Sequence, residues 1–198
     1  VDISWRPRKG ILLWALSGLL AAVLLSTVFG VDPYRSFWSN FERMEGVITY
    51  IHIFLLFLVA TSVLSHTKDW WRFWAINTGM SLVVAGVAFM QILGKYEVHQ
   101  GSTRLDATLG NASYLAVYML FSIFITGLLW LQSTDQNARK YWYPLCALIQ
   151  LVVLYKTGTR GAILGLIFGV GVASIFFLVR GRKHLRARRY AVIVLVCM

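Results

Sequence analysis

The residues best suited to chemistry lie in short polar stretches between long apolar ones. The tightest is Lys156-Thr157-Gly158-Thr159-Arg160-Gly161. An arginine fork offers paired N–H donors to phosphate oxygens, and a helix starting at this point would add the partial positive charge of its N-terminus. Gly158 and Gly161 clear space around Arg160, so the stretch suits a lipid-linked phosphate or diphosphate. The competing reading makes Lys156 and Arg160 snorkelling anchors at a membrane edge. A second stretch, KYEVHQGSTRLDATLG at 95–110, holds His99, Arg104 and Asp106. It runs into Asn111, which can cap a following helix, with Gly110 allowing a sharp turn before it. His99 could act as a base near neutral pH, or stand as an ordinary solvated loop histidine.

A third polar stretch, VDPYRSFWSNFERMEG at 31–46, mixes aromatics with Arg35, Glu42, Arg43 and Glu45. On a short helix Glu42 and Glu45 would lie three residues apart. Paired glycosidase carboxylates and a surface ion pair both fit that spacing. His52 sits in an apolar run near Thr49 and Tyr50, where it reads as part of a proton path or as a neutral histidine near the edge of the membrane. No zinc spacing, Walker loop, nucleophile elbow or haem motif occurs, and neither metal nor cofactor is expected.

The elements that must position these groups are set by apolarity. The chain has 198 residues, of which 58% are hydrophobic and only 14% charged, and its mean hydropathy is +0.67. A soluble domain carries about 25% charged residues. The charges are also segregated, leaving uncharged runs at 11–30, 46–67, 73–94, 107–134 and 161–179. A helix needs roughly 20 apolar residues to cross the hydrocarbon core. The expectation is therefore all-α: a polytopic membrane helical bundle forming a single transmembrane domain over 1–198. It has about six complete spans, at about 11–30, 47–65, 72–94, 111–132, 142–157 and 161–179. The fifth is the shortest, with Pro144 expected in its first turn. Another helix begins near 190, and the chain reads as a fragment whose seventh span is truncated. Gly165, Gly169, Gly171 and Ala173 predict close packing of the sixth span.

Alternate loops divide the basic residues thirteen to six, and the richer side includes the N-terminus and the cluster Arg180, Arg182, Lys183, Arg186, Arg188 and Arg189. Positive charge favours the cytoplasm, so the N-terminus is expected there. The net charge of +11 follows from this bias and does not imply a nucleic-acid partner. The cluster at 180–189 reads as an anchor beside anionic lipid headgroups, and Trp70, Trp71, Trp74, Trp130 and Trp142 as interfacial belts. Cys146 and Cys197 both fall in apolar segments, as inert thiols do.

Three segments together resemble a known family: RSFWSNFERMEGVITYIH at 35–52, Arg104 with Leu109-Gly110-Asn111-Ala112-Ser113-Tyr114-Leu115-Ala116, and Thr157-Gly158-Thr159-Arg160-Gly161-Ala162. They are similar to the O-antigen ligase and polymerase superfamily, multi-span glycosyltransferases of the bacterial inner membrane. The third segment resembles that family's S/T-R-G/A signature at a helix start. The second resembles its G-x-x-x-N-P-N-x-x-A signature, with Ala112 in place of the proline and Ser113 in place of the second asparagine. The resemblance implies transfer of a glycan from undecaprenyl diphosphate to an acceptor hydroxyl on a glycolipid, glycan or protein, outside the cytoplasm and without a metal. It implies donor-diphosphate binding by Arg160 and Arg104, with Gly110, Asn111, Thr159 and Gly161 shaping the site. The family's general base, a histidine of a later outer loop, would lie beyond Met198, and His99 does not match it. The alternatives are a transporter or flippase for a lipid-linked glycan and a non-catalytic membrane subunit.

Overall fold

The structure, a computed structural model, describes residues 10–39, 45–98, 104–133 and 139–180, without the side chains of residues 139, 140 and 180. Glu42, Arg43, His99, Cys197, the basic residues beyond Arg180 and the helix expected near 190 lie outside the described residues. Among those described, the chain is all helical. Seven α-helices occur: α1 (Ile11–Val28), α2 (Pro33–Trp38), α3 (Val47–Val63), α4 (Thr67–Ile92), α5 (Ala112–Gln132), α6 (Arg139–Lys156) and α7 (Arg160–Arg180). Four are long and apolar enough to cross a membrane: α1, α4, α5 and α7, the last counted over Arg160–Val179. Helix α3 is equally apolar but shorter, and α6 carries charge at both ends.

Two helices start earlier than their charges suggest. Helix α4 begins at Thr67, because Lys68, Asp69 and Arg72 are accommodated in its opening turns, where Asp69 also complements the helix dipole. Helix α6 begins at Arg139, which places Pro144 inside the helix instead of in its first turn. The short helix of the 31–46 stretch is Pro33–Trp38. Asp32 caps it by accepting from the Arg35 N–H at 3.0 Å, and Glu45 lies outside it.

The chain, expected as one domain, divides into two compact units, Val1–Trp70 and Trp71–Met198. In the first, α3 packs on α1 and α2. Gly46 makes that packing possible, since a Cβ there would stand 2.1 Å from the Phe37 carbonyl oxygen. In the second, α5 lies against α6 and α7. Helices α5 and α7 run parallel. The Cβ position of Gly165 falls 3.4 Å from Leu120, and that of Gly169 falls 2.4 Å from the Phe124 ring, one turn further along both helices.

The second unit's core is made of small and polar residues as much as large apolar ones. Ala85, Ala88, Leu115, Ala116, Met119, Val153 and Leu154 form an apolar cluster. Alongside it, Gln150 Nε2 of α6 donates to Ser81 Oγ of α4 at 2.7 Å and to Thr126 Oγ1 of α5 at 3.1 Å. Thr126 lies 3.3 Å from Thr78 Oγ1, and Ser81 Oγ donates to the Thr78 carbonyl. All four side chains are buried. Many other large apolar residues of this unit meanwhile face outward, among them Val83, Phe121, Leu148 and Phe168. Lipid permits that distribution, because close helix contact in lipid comes from small residues and interhelical hydrogen bonds.

Candidate functional site

Three sequence segments meet at the end of the second unit where α5 and α7 begin. The first is the segment entering α5. Leu105, Asp106 and Ala107 are buried there, a 3-10 turn spans Ala107–Leu109, and Gly110 reverses the chain at φ 65°. Asn111 then caps α5, its Oδ1 accepting from the Ser113 N–H at 2.8 Å. The cap satisfies one of the helix's opening donors, and the rest leave partial positive charge at this end.

The second segment is the turn between α6 and α7. Thr157 is buried and donates through Oγ1 to the Leu154 carbonyl. Gly158 takes φ 63°, where any other residue would be strained. Thr159 precedes α7, its carbonyl accepting from the N–H groups of Ala162 and Ile163. Arg160 is the first residue of the helix and is exposed, as are Lys156 and Gly161.

Arg104 joins the two. Its Nε donates to the Thr157 carbonyl at 2.8 Å, and its Nη2 donates to Thr159 Oγ1 at 2.9 Å. Arg104 and Thr157 are separated by 53 positions in sequence, yet these bonds hold the Arg104 guanidinium on the turn that leads directly to Arg160. The Cβ position of Gly158 is 3.7 Å from Arg104 Nε, an ordinary contact distance, so the guanidinium lies against the glycine and a substitution there would strain only the turn. Arg104, Thr159 and Arg160 are therefore brought together, and Gly110 and Asn111 form the turn and cap that follow Arg104. Two arginines beside the N-terminus of a long apolar helix make a cationic cluster suited to phosphate oxygens.

The third segment was not singled out from sequence. Gln91, near the end of α4, is buried and bonded to both ends of the 95–110 stretch. Asp106, one of the charged residues of the polar 95–110 stretch, has no exposed surface. A glutamine at the end of an apolar helix was the one available signal, and an exposed glutamine gives the same one.

The other candidates lie elsewhere. His52 is exposed on α3 in the first unit, 2.7 Å from the Ile48 carbonyl, which accounts for one ring nitrogen. Among the described residues no cluster of histidine, cysteine or acidic side chains could hold a metal. Cys146 is buried as a free thiol. An apolar groove of about 460 Å³ lies between α5, α6 and α7, with Ile123, Trp130, Pro144, Leu151 and Leu166 on its walls.

No protein-family model, curated protein or solved structure matches this chain.

Proposed function

We propose that the chain is a multi-pass bacterial inner-membrane glycosyltransferase of the O-antigen ligase and polymerase type, with its N-terminus in the cytoplasm. In this reading it binds a glycan carried on undecaprenyl diphosphate at the outer face of the membrane. It passes the glycan to an acceptor hydroxyl on a glycolipid, another glycan or a protein. The observation that carries the reading is the convergence of Arg104, Thr159 and Arg160 at the start of α7. The apolar groove between α5, α6 and α7 has the chemistry to accept part of an isoprenoid chain.

The chemistry asked of these residues is electrostatic. As the bond between the sugar carbon and the diphosphate oxygen breaks, negative charge grows on the leaving group. Arg160, with the α7 N-terminus behind it, is placed to offset that charge, and Arg104 to hold the diphosphate in register. Interactions that strengthen as charge develops lower the barrier, and losing one donor of this kind typically costs about 100-fold to 1,000-fold in rate. No residue is assigned as the general base.

The test is glycan transfer in cells expressing the protein from its own gene. Arg160→Ala should abolish surface glycan while leaving membrane insertion and abundance unchanged, and full transfer by that variant would remove Arg160 from the site. Vesicles carrying the protein and a lipid-linked glycan separate the transferase from a transporter. A new glycosidic product supports the transferase, whereas movement of the intact donor across the bilayer without such a product would replace it.

A further inference from the structure

We propose that Gln91 is a positioning residue that holds Arg104 in its phosphate-binding place. The inference rests on the diphosphate reading of the Arg104–Arg160 cluster and adds the device that sets its geometry. Gln91 uses both ends of its carboxamide. Nε2 donates to Asp106 Oδ1 at 2.6 Å and to the Glu97 carbonyl at 3.0 Å. Oε1 accepts from the Ala107 N–H at 2.9 Å and the Asp106 N–H at 3.3 Å. A primary amide has two N–H donors and two lone pairs, so this side chain is saturated. One residue of α4 thereby ties the start of the 95–110 stretch to its end.

The tie falls next to Arg104. Leu105 is buried in the apolar cluster, Asp106 is fully buried, and Ala107 is held at φ 46°, a conformation alanine rarely adopts. A residue stays in such a region only where its surroundings over-determine it, and the Gln91 amide is the group bonded to that peptide. With positions 105–107 pinned, the Arg104 backbone has little freedom, and its guanidinium reaches Thr157 and Thr159 from a fixed root. Without Gln91, the buried Asp106 carboxylate loses a short hydrogen bond and the two N–H groups lose their acceptor. The segment then has reason to move outward, carrying Arg104 off the turn.

The experiment measures binding of inorganic pyrophosphate to the full chain in nanodiscs. It is paired with hydrogen exchange at Arg104 Nε, followed by nitrogen-15 NMR, which needs no ligand. Gln91→Ala should weaken pyrophosphate binding about tenfold, as Arg104→Ala does, and the double variant should lose no more than either alone. Gln91→Met, which fills the same space without hydrogen bonds, should match Gln91→Ala and guards against loss of folding. Asp106→Asn, which keeps an acceptor for Gln91 Nε2, should retain binding within about twofold of the native chain. Unchanged affinity in both Gln91 variants, or a further loss in the double variant beyond Arg104→Ala, would overturn the inference. If the native chain binds no pyrophosphate, the diphosphate reading fails and the exchange measurement decides the brace. Faster exchange at Arg104 Nε in the Gln91 variants supports it, and unchanged exchange removes it.

Discussion

Helices α1 and α5 are both long and strongly apolar, yet their surfaces are used in opposite ways. Helix α1 has no buried residue, and Leu12, Trp14, Leu25 and Val28 all stand exposed. Helix α5 buries seven of its residues, Ala112, Leu115, Ala116, Met119, Ser122, Thr126 and Leu129, which recur every three or four positions along one face. Apolarity cannot separate these helices, because leucine is as comfortable against lipid as against another helix. The difference lies in the small and hydroxylated residues: α5 sets Ala116, Ser122 and Thr126 on the stripe that meets α4 and α6. In this chain apolar residues determine that a helix exists, and the sparse polar and small ones determine what it packs against.

That contrast can be broken in stages. The largest stability effect is expected from Leu115→Ala, which empties space in a fully buried position. In lipid the transfer contribution largely falls away and the cavity contribution remains, so the loss should be about 2 kcal/mol in unfolding by denaturing detergent. Gln150→Leu should cost about 1–2 kcal/mol, because Ser81 and Thr126 lose their shared partner while the volume is kept. A neutral or stabilising result would mean that the polar cluster contributes specificity and not stability. Gly158→Ala should cost about 1 kcal/mol through its left-handed backbone. Leu19→Ala on α1, about half exposed at 53%, should change stability by no more than about 0.5 kcal/mol. A loss as large as that of Leu115→Ala would show that α1 is packed and erase the contrast.

The candidate site was legible in part. The glycines and cations of the 156–161 turn announce themselves between two apolar runs, and Asn111 stands where a helix cap belongs. The spacing of Arg104 from that turn carries no such message. Nothing within 53 positions of sequence says that its Nε will find the Thr157 carbonyl, and that contact depends on α5 and α7 running parallel through Gly165 and Gly169. Asp106 shows the same limit in reverse. An aspartate in a polar stretch between apolar runs gives no sign of burial, and the short bond from the Gln91 amide is one of the contacts that make its burial tolerable.

Sequence by itself determined the helical class, the positions of the apolar runs and the polar turns between them. These follow from local rules: an apolar run must satisfy its backbone internally, and charge and glycine interrupt it. Tertiary structure alone decided which apolar faces are buried, where the chain divides into two units, and that Gln91 and a buried Asp106 lie beside the Arg104 that reaches the turn before Arg160. Those outcomes depend on single hydrogen bonds and close approaches between residues far apart in the chain, which no local pattern encodes.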